Sequence, residues 1–182
     1  SSGSGKSTLL DLICGILSPT NGKIFLDHDP LNDEKIYSWQ NKISYISQKN
    51  YLLNGSILQN IAFAENQNDI DIGRVEESIK FSKLQNLVNE KVNGYNFNIG
   101  EDGKNISGGQ RQRIVLARAI YRKADLIIFD EATSALDKNT ENEILSDIKD
   151  NFHKKKTLII STHKLDTLYF CDKVLNIDDF KS

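Results

Sequence analysis

The sequence predicts an α/β fold, a parallel-sheet core carrying a helical insertion, on three observations. A glycine- and serine-rich stretch, Ser1 to Gly5, leads through Lys6-Ser7-Thr8 into an amphipathic helix opening with Leu9, Leu10, Leu12 and Ile13. Two apolar runs, Leu126-Ile127-Ile128-Phe129 and Thr157-Leu158-Ile159-Ile160, lack period-2 alternation and are flanked by helical stretches, as expected of parallel strands covered on both faces. Residues from about Ile57 to Lys91 are helical in pattern and lie between these features, which predicts an insertion outside the sheet.

Ser1 to Thr8 matches the phosphate-loop pattern GxxxxGK[ST] without its first glycine. Gly3 and Gly5 let backbone N–H groups, with those of Ser2 and Ser4, turn inward around phosphates. Lys6 reaches β/γ oxygens, and the Ser7 hydroxyl, beside Thr8, can ligate Mg²⁺. The helix that follows presents its positive N-terminus to the same anion. A Gly/Ser-rich stretch alone is equally a flexible linker; the Lys-Ser-Thr run into a helix favours the phosphate reading. Such a loop needs a preceding strand, and the chain contains no methionine, so further sheet strands are expected upstream of Ser1.

Further along, Pro19-Thr20-Asn21-Gly22 is a turn. Lys23 to Asp27 reads as a strand closed by an Asp27-His28-Asp29-Pro30 turn, and Ile43 to Ile46 as another strand. Ser56 is a plausible N-cap for the helical insertion, with Val75, Ile79 and Leu84 along its apolar face. Asn86 to Asn105 is loop-like, and Lys154-Lys155-Lys156 reads as a solvated turn.

With 182 residues the chain suits one domain. Its 23 Lys+Arg against 25 Asp+Glu give a net charge of −2, which offers no basic excess for a nucleic-acid partner. Cys14 and Cys171 lack metal-ligand spacing and read as buried, reduced thiols. No apolar run approaches the roughly 20 residues that span a bilayer, so any membrane association comes through another segment or subunit.

The Leu126 to Phe129 run ends in Asp130-Glu131, two carboxylates at the carboxyl edge of a parallel sheet, where such folds bind ligands. Asp130 can hold Mg²⁺ directly or through water, and Glu131 can orient and deprotonate a water. The plainer alternative is a strand end that caps the next helix. Ile106-Ser107-Gly108-Gly109-Gln110 opens a second strongly helical stretch, and its N–H groups and the Ser107 hydroxyl form a second anion site or an ordinary N-cap.

Taken in order, these segments resemble the nucleotide-binding domain of an ATP-binding cassette (ABC) transporter across nearly the whole chain. Ser1 to Thr8 resembles the Walker A loop, Gln48 the Q-loop glutamine, and Ile106 to Gln110 the LSGGQ signature with isoleucine for leucine. Leu126 to Glu131 resembles Walker B, Ser134 to Asp137 the D-loop, and His163 the switch histidine. The resemblance implies a P-loop NTPase core, with a helical subdomain over about 57–120 inserted into a single domain 1–182. It also implies ATP and Mg²⁺, with Gln48 sensing the metal and the attacking water and His163 contacting the γ-phosphate. Ser107, Gly108, Gly109, Gln110 and Asp137 would then meet nucleotide across a head-to-tail dimer with a second nucleotide-binding domain.

Two segments are similar to exporters in particular. They are Gln48 to Ile61, with an aliphatic pair followed by S-I-x-x-N-I, and Ile99 to Gly103, an X-loop in which Asp102 stands where many exporters carry arginine. The implied setting is the cytoplasmic face of a membrane, through a transmembrane domain absent from the chain, and the implied activity is ATP hydrolysis coupled to transport. Competing readings are a soluble ABC-type ATPase and an inert fragment. A chromosome-maintenance type is disfavoured because Ser7 and Ser107 lie only 100 residues apart, without sustained heptads between them.

Overall fold

The computed structural model describes residues 5–47, 51–63, 65–133, 135–152 and 155–180. Its centre is a three-stranded parallel sheet: β4 (Leu126–Asp130) lies between β3 (Ile43–Ile46) and β5 (Thr157–Ser161), with Tyr45 opposite Ile128 and Asp130 opposite Ser161. A short antiparallel ribbon, β1 (Phe25–Leu26) with β2 (Asp29–Pro30), stands apart.

Both faces of the parallel sheet are covered, as the unbroken apolar runs predict. On one face Ile43, Leu126 and Ile128 pack with Leu10 and Cys14 from α1 (Lys6–Ile13) and its end. Alternate residues Ile46, Ile127 and Phe129 join the larger cluster on the other face, with Ile114 and Leu116 of α6 (Gly108–Tyr121) and Ile144 and Ile148 of α7 (Lys138–Phe152). Burying each such side chain contributes about 1.5–3 kcal/mol, so β4, apolar on both faces, anchors the core. Helix α2 (Asp33–Gln40) buries no residue fully; it is fixed by the Asn32 cap and by Trp39 Nε1 donating to Ile13 O at 2.7 Å.

One expectation, the helical insertion, is resolved into its parts, and four others need correction. The 57–91 pattern is three helices: α3 (Ile57–Ile61), α4 (Ile72–Phe81) and α5 (Gln85–Glu90). The chain leaves α3 at Ala62, restarts under an Asp71 cap, and turns at Lys83 with φ 57°. Leu84 still faces the core but outside α4, and Ser56 does cap, through a reciprocal box with Gln59. The Asn86 to Asn105 stretch is partly helical, because Leu87 is drawn into the core. The expected strand over 23–27 shrinks to Phe25–Leu26, since Asp27 turns left-handed at φ 55°. Lys156 is tethered, its ammonium donating to Lys123 O at 3.0 Å and Ala124 O, and Cys171 is only half-buried.

Candidate functional site

The candidate site lies where the carboxyl ends of all three parallel strands meet the start of α1. Gly5 precedes α1 at φ 91°, a conformation that suits glycine, and no atom lies within 4 Å of where a Cβ would stand. Lys6, Ser7 and Thr8 follow in the first turn, with Lys6 half-buried and the other two exposed.

At the end of β4 the backbone bends sharply. Glu131 adopts φ 52°, uncommon for a residue with a Cβ, and its N–H donates to Ser161 O at 3.0 Å, carrying the ladder to β5 one residue further. That places its carboxylate beside the segment following β5. His163 Nε2 lies 3.0 Å from Glu131 Oε1 and 3.0 Å from Lys6 Nζ. Three residues separated by up to 157 positions therefore converge on one imidazole nitrogen. That nitrogen offers either a proton to Glu131 or a lone pair to Lys6, one at a time.

Asp130 is fixed from the neighbouring strand. The β3–β4 register sets Tyr45 opposite Ile128, two residues before Asp130, and the Tyr45 hydroxyl donates to Asp130 Oδ2 at 2.9 Å. Burial, then the bond to Asp130, raises the Tyr45 pKa and keeps the phenol a donor. Close by, Ser161 Oγ is buried and, among the described residues, has no hydrogen-bond partner.

The second cradle, at the start of α6, is organised by a reciprocal capping box. Ser107 Oγ accepts from Gln110 N at 3.2 Å, and Gln110 Oε1 accepts from Ser107 N at 2.9 Å. The hydroxyl thus serves as an N-cap, the plainer of the two roles the sequence allows. Gly109 packs so closely on Ala135 that an added Cβ would lie 3.4 Å from its carbonyl oxygen, while Gln112 Oε1 accepts from Ala135 N at 2.9 Å. Asp137 caps α7 through Thr140 N at 3.0 Å, and that bond holds its carboxyl below the usual range.

Lys6, Glu131 and His163 are thus brought together, with Asp130 held on the strand beside them. Ser107 to Gln110 and Asp137 are organised through their own helix starts. Ser1, Ser2, Gly3, Ser4, Gln48 and Ser134 lie outside the described residues. The chain following Gln48 is held by Asn60, whose side chain accepts from Leu53 N at 2.8 Å and donates to Leu53 O at 3.1 Å, and by Arg118, which donates to Asn60 O at 2.8 Å. In the Ile99 to Gly103 segment, Asp102 pairs with Arg111 at 2.9 Å. Nothing in the sequence marks Tyr45 and Gln112 as site residues; their partners lie 85 and 23 residues away, with no local pattern to mark the pairing.

The ABC transporter family matches residues 1–134. This chain belongs to the ABC transporter family. Among curated relatives, the ATP-dependent lipid A-core flippase of Cupriavidus pinatubonensis is 38% identical over 97% of this chain and 30% of its own length. The flippase of the same name from Pectobacterium atrosepticum is 38% identical over 98% of this chain and 30% of its own length. A solved bacterial Atm1-family ABC exporter with ATP bound shares 30% identity, with a TM-score of 0.85 over 92% of this chain and 29% of that one. The chain thus spans about 30% of the length of the curated ABC relatives it matches. The parallel sheet with its covering helices is the nucleotide-binding fold of ABC proteins. No helix among the described residues is long and apolar enough to cross a membrane.

Proposed function

We propose that this chain is the ATP-binding and ATP-hydrolysing domain of an ABC exporter. The convergence of Lys6 and Glu131 on His163 at the carboxyl edge of the sheet carries this reading, and the exporter relatives support it. Lys6 binds β/γ-phosphate oxygens, aided by the backbone of Ser2, Gly3, Ser4 and Gly5 and by Thr8. Glu131 takes the proton from the attacking water. His163 orients the γ-phosphate; once Lys6 turns to phosphate, its Nε2 is released from the ammonium.

The oxygen donors at this edge suit Mg²⁺, which favours hard ligands and stays largely bound to phosphates and water. Ser7 and Asp130 would hold it with Gln48; Asp130 keeps one carboxylate oxygen beyond the Tyr45 bond, and the orphaned Ser161 hydroxyl adds a polar group nearby. Bound there, the ion supplies neutralisation of charge on the phosphate oxygens.

In the same reading a second nucleotide-binding domain lies head to tail against this one. Ser107, Gly108, Gly109, Gln110 and Asp137 of each face the other's nucleotide. A helical subdomain over about 57–120 is inserted in the core. The domain works at the cytoplasmic face of a membrane beneath a transmembrane domain, coupling hydrolysis to export, and no nucleic-acid partner takes part.

Isothermal titration of the monomeric protein with ATP tests this assignment. Lys6→Ala is expected to abolish binding, whereas Ser107→Arg leaves monomer affinity intact and blocks ATP-dependent dimer formation. Equal loss of monomer affinity in both variants would contradict the division into two half-sites.

A further inference from the structure

A buried ionic cluster outside the residues assigned above joins the segments that carry Glu131 and His163. Glu141, in the first turn of α7, is only 6% exposed although it is an acid. Its Oε1 accepts from Thr133 Oγ1 at 2.5 Å and its Oε2 from Lys164 Nζ at 2.6 Å. The Lys164 ammonium also donates to Thr133 O at 3.2 Å. Thr133 lies two residues beyond Glu131, and Lys164 directly follows His163. One carboxylate therefore ties together the chain leaving β4 and the chain leaving β5.

A buried carboxylate is tolerated only where strong donors reach its oxygens, so the positions of Thr133 and Lys164 are set by Glu141. A well-packed apolar residue would serve stability at least as well, whereas an ion pair adds direction. Direction is what this edge needs: Glu131 sits in a left-handed conformation that its own backbone does not favour and that its surroundings must impose. Helix α7 also begins at the Asp137 cap, one turn before Glu141, whose N–H donates to Asp137 O at 2.9 Å. The exposed pair Lys138–Asp166, at 2.7 Å, is a second tie from α7 to the chain beyond His163.

We propose that Glu141 is a positioning residue that holds Glu131 and His163 in their 3.0 Å relationship by bridging Thr133 and Lys164. The proposal rests on the ATPase reading above. It predicts a defect in turnover separable from binding, because among the described residues the hydrogen-bond partners of the Glu141 carboxylate are Thr133 and Lys164 rather than Lys6, Ser7 or Thr8.

The test uses Lys164→Met, Thr133→Val and the conservative Lys164→Arg in the intact protein. The Lys164 side chain is 43% exposed, but its truncation strips the buried Glu141 of its charged donor and lowers stability, so rates are read at a temperature where circular dichroism shows the variant folded. For Lys164→Met and Thr133→Val, kcat is expected to fall about 10–100-fold, the scale of a small misplacement of reacting groups. Mg-ATP affinity of the folded variants should change little, and Lys164→Arg should recover most of the rate. In nucleotide-free protein, the His163 imidazole NMR signal should shift in Lys164→Met. In a His163→Ala background, Lys164→Met should add almost nothing, since groups acting as a unit are non-additive. An unchanged kcat, or a fall of kcat matched by an equal loss of Mg-ATP affinity in folded protein, would overturn the positioning role. The unaltered protein and Glu131→Gln separate the two claims: if the unaltered protein hydrolyses no ATP, the ATPase reading fails; if Glu131→Gln hydrolyses ATP normally, Glu131 is not the base; and if Glu131→Gln is inactive while Lys164→Met is not, only the role of Glu141 fails.

Discussion

Tyr45 and Asp130 meet across the β3–β4 ladder, the phenol donating to Asp130 Oδ2 at 2.9 Å from the same face of the sheet. A carboxylate proposed to hold Mg²⁺ is thereby held in orientation by a hydroxyl from the neighbouring strand. Tyr45→Phe removes only the hydroxyl. The Mg²⁺ concentration giving half-maximal ATPase is expected to rise several-fold, with metal-free ATP affinity unchanged and stability lower by about 1 kcal/mol. A Mg²⁺ titration checks this, and an unaltered metal requirement would show the bond to be structural only.

Ile128, at the middle of the central strand, is fully buried. Ile128→Ala leaves a cavity between the sheet and α1, with an expected loss of about 2–5 kcal/mol. Chemical denaturation should show a lower midpoint at unchanged slope. A loss under about 1 kcal/mol would mean that this face of the sheet is loosely packed.

The two cysteines should react very differently. Burial, reinforced by the charge of Asp11, pushes the Cys14 thiol up to about 11, so at pH 8 only about one molecule in a thousand carries the thiolate. The shift favours the neutral form at every pH below that value, and reactivity should rise only as pH approaches it. Cys171 is also raised, by burial first, but is half-buried. Maleimide labelling of native protein at pH 8 followed by peptide mapping should modify Cys171 well before Cys14. Equal labelling would contradict the packing of α1 on the sheet.

The strongest sequence signals were those resting on short-range physics. Unbroken apolar runs marked β4 and β5 because a strand covered on both faces has no polar side to show. Ser56 and Ser107 were recognisable as caps because both partners of each box lie within three residues. The 57–91 stretch reads as helical in pattern but does not show its breaks, since periodicity survives a break when the displaced residue, Leu84, still faces the core. The polar ties at the site were illegible for a different reason. Tyr45 with Asp130, Gln112 with Ala135, and Thr133 with Glu141 and Lys164 are set by strand register and helix packing. No spacing along the chain records them.

The central claim is that Glu131 is the general base of an ATP-hydrolysing site, and Glu131→Gln tests it most directly. The amide keeps the size of the side chain and spares the contacts of Lys6 with phosphate but cannot take a proton from water. Steady-state hydrolysis should fall by roughly 10²–10⁴ while Mg-ATP stays bound and dimeric protein accumulates. Hydrolysis by Glu131→Gln within a few-fold of the unaltered protein would contradict the account.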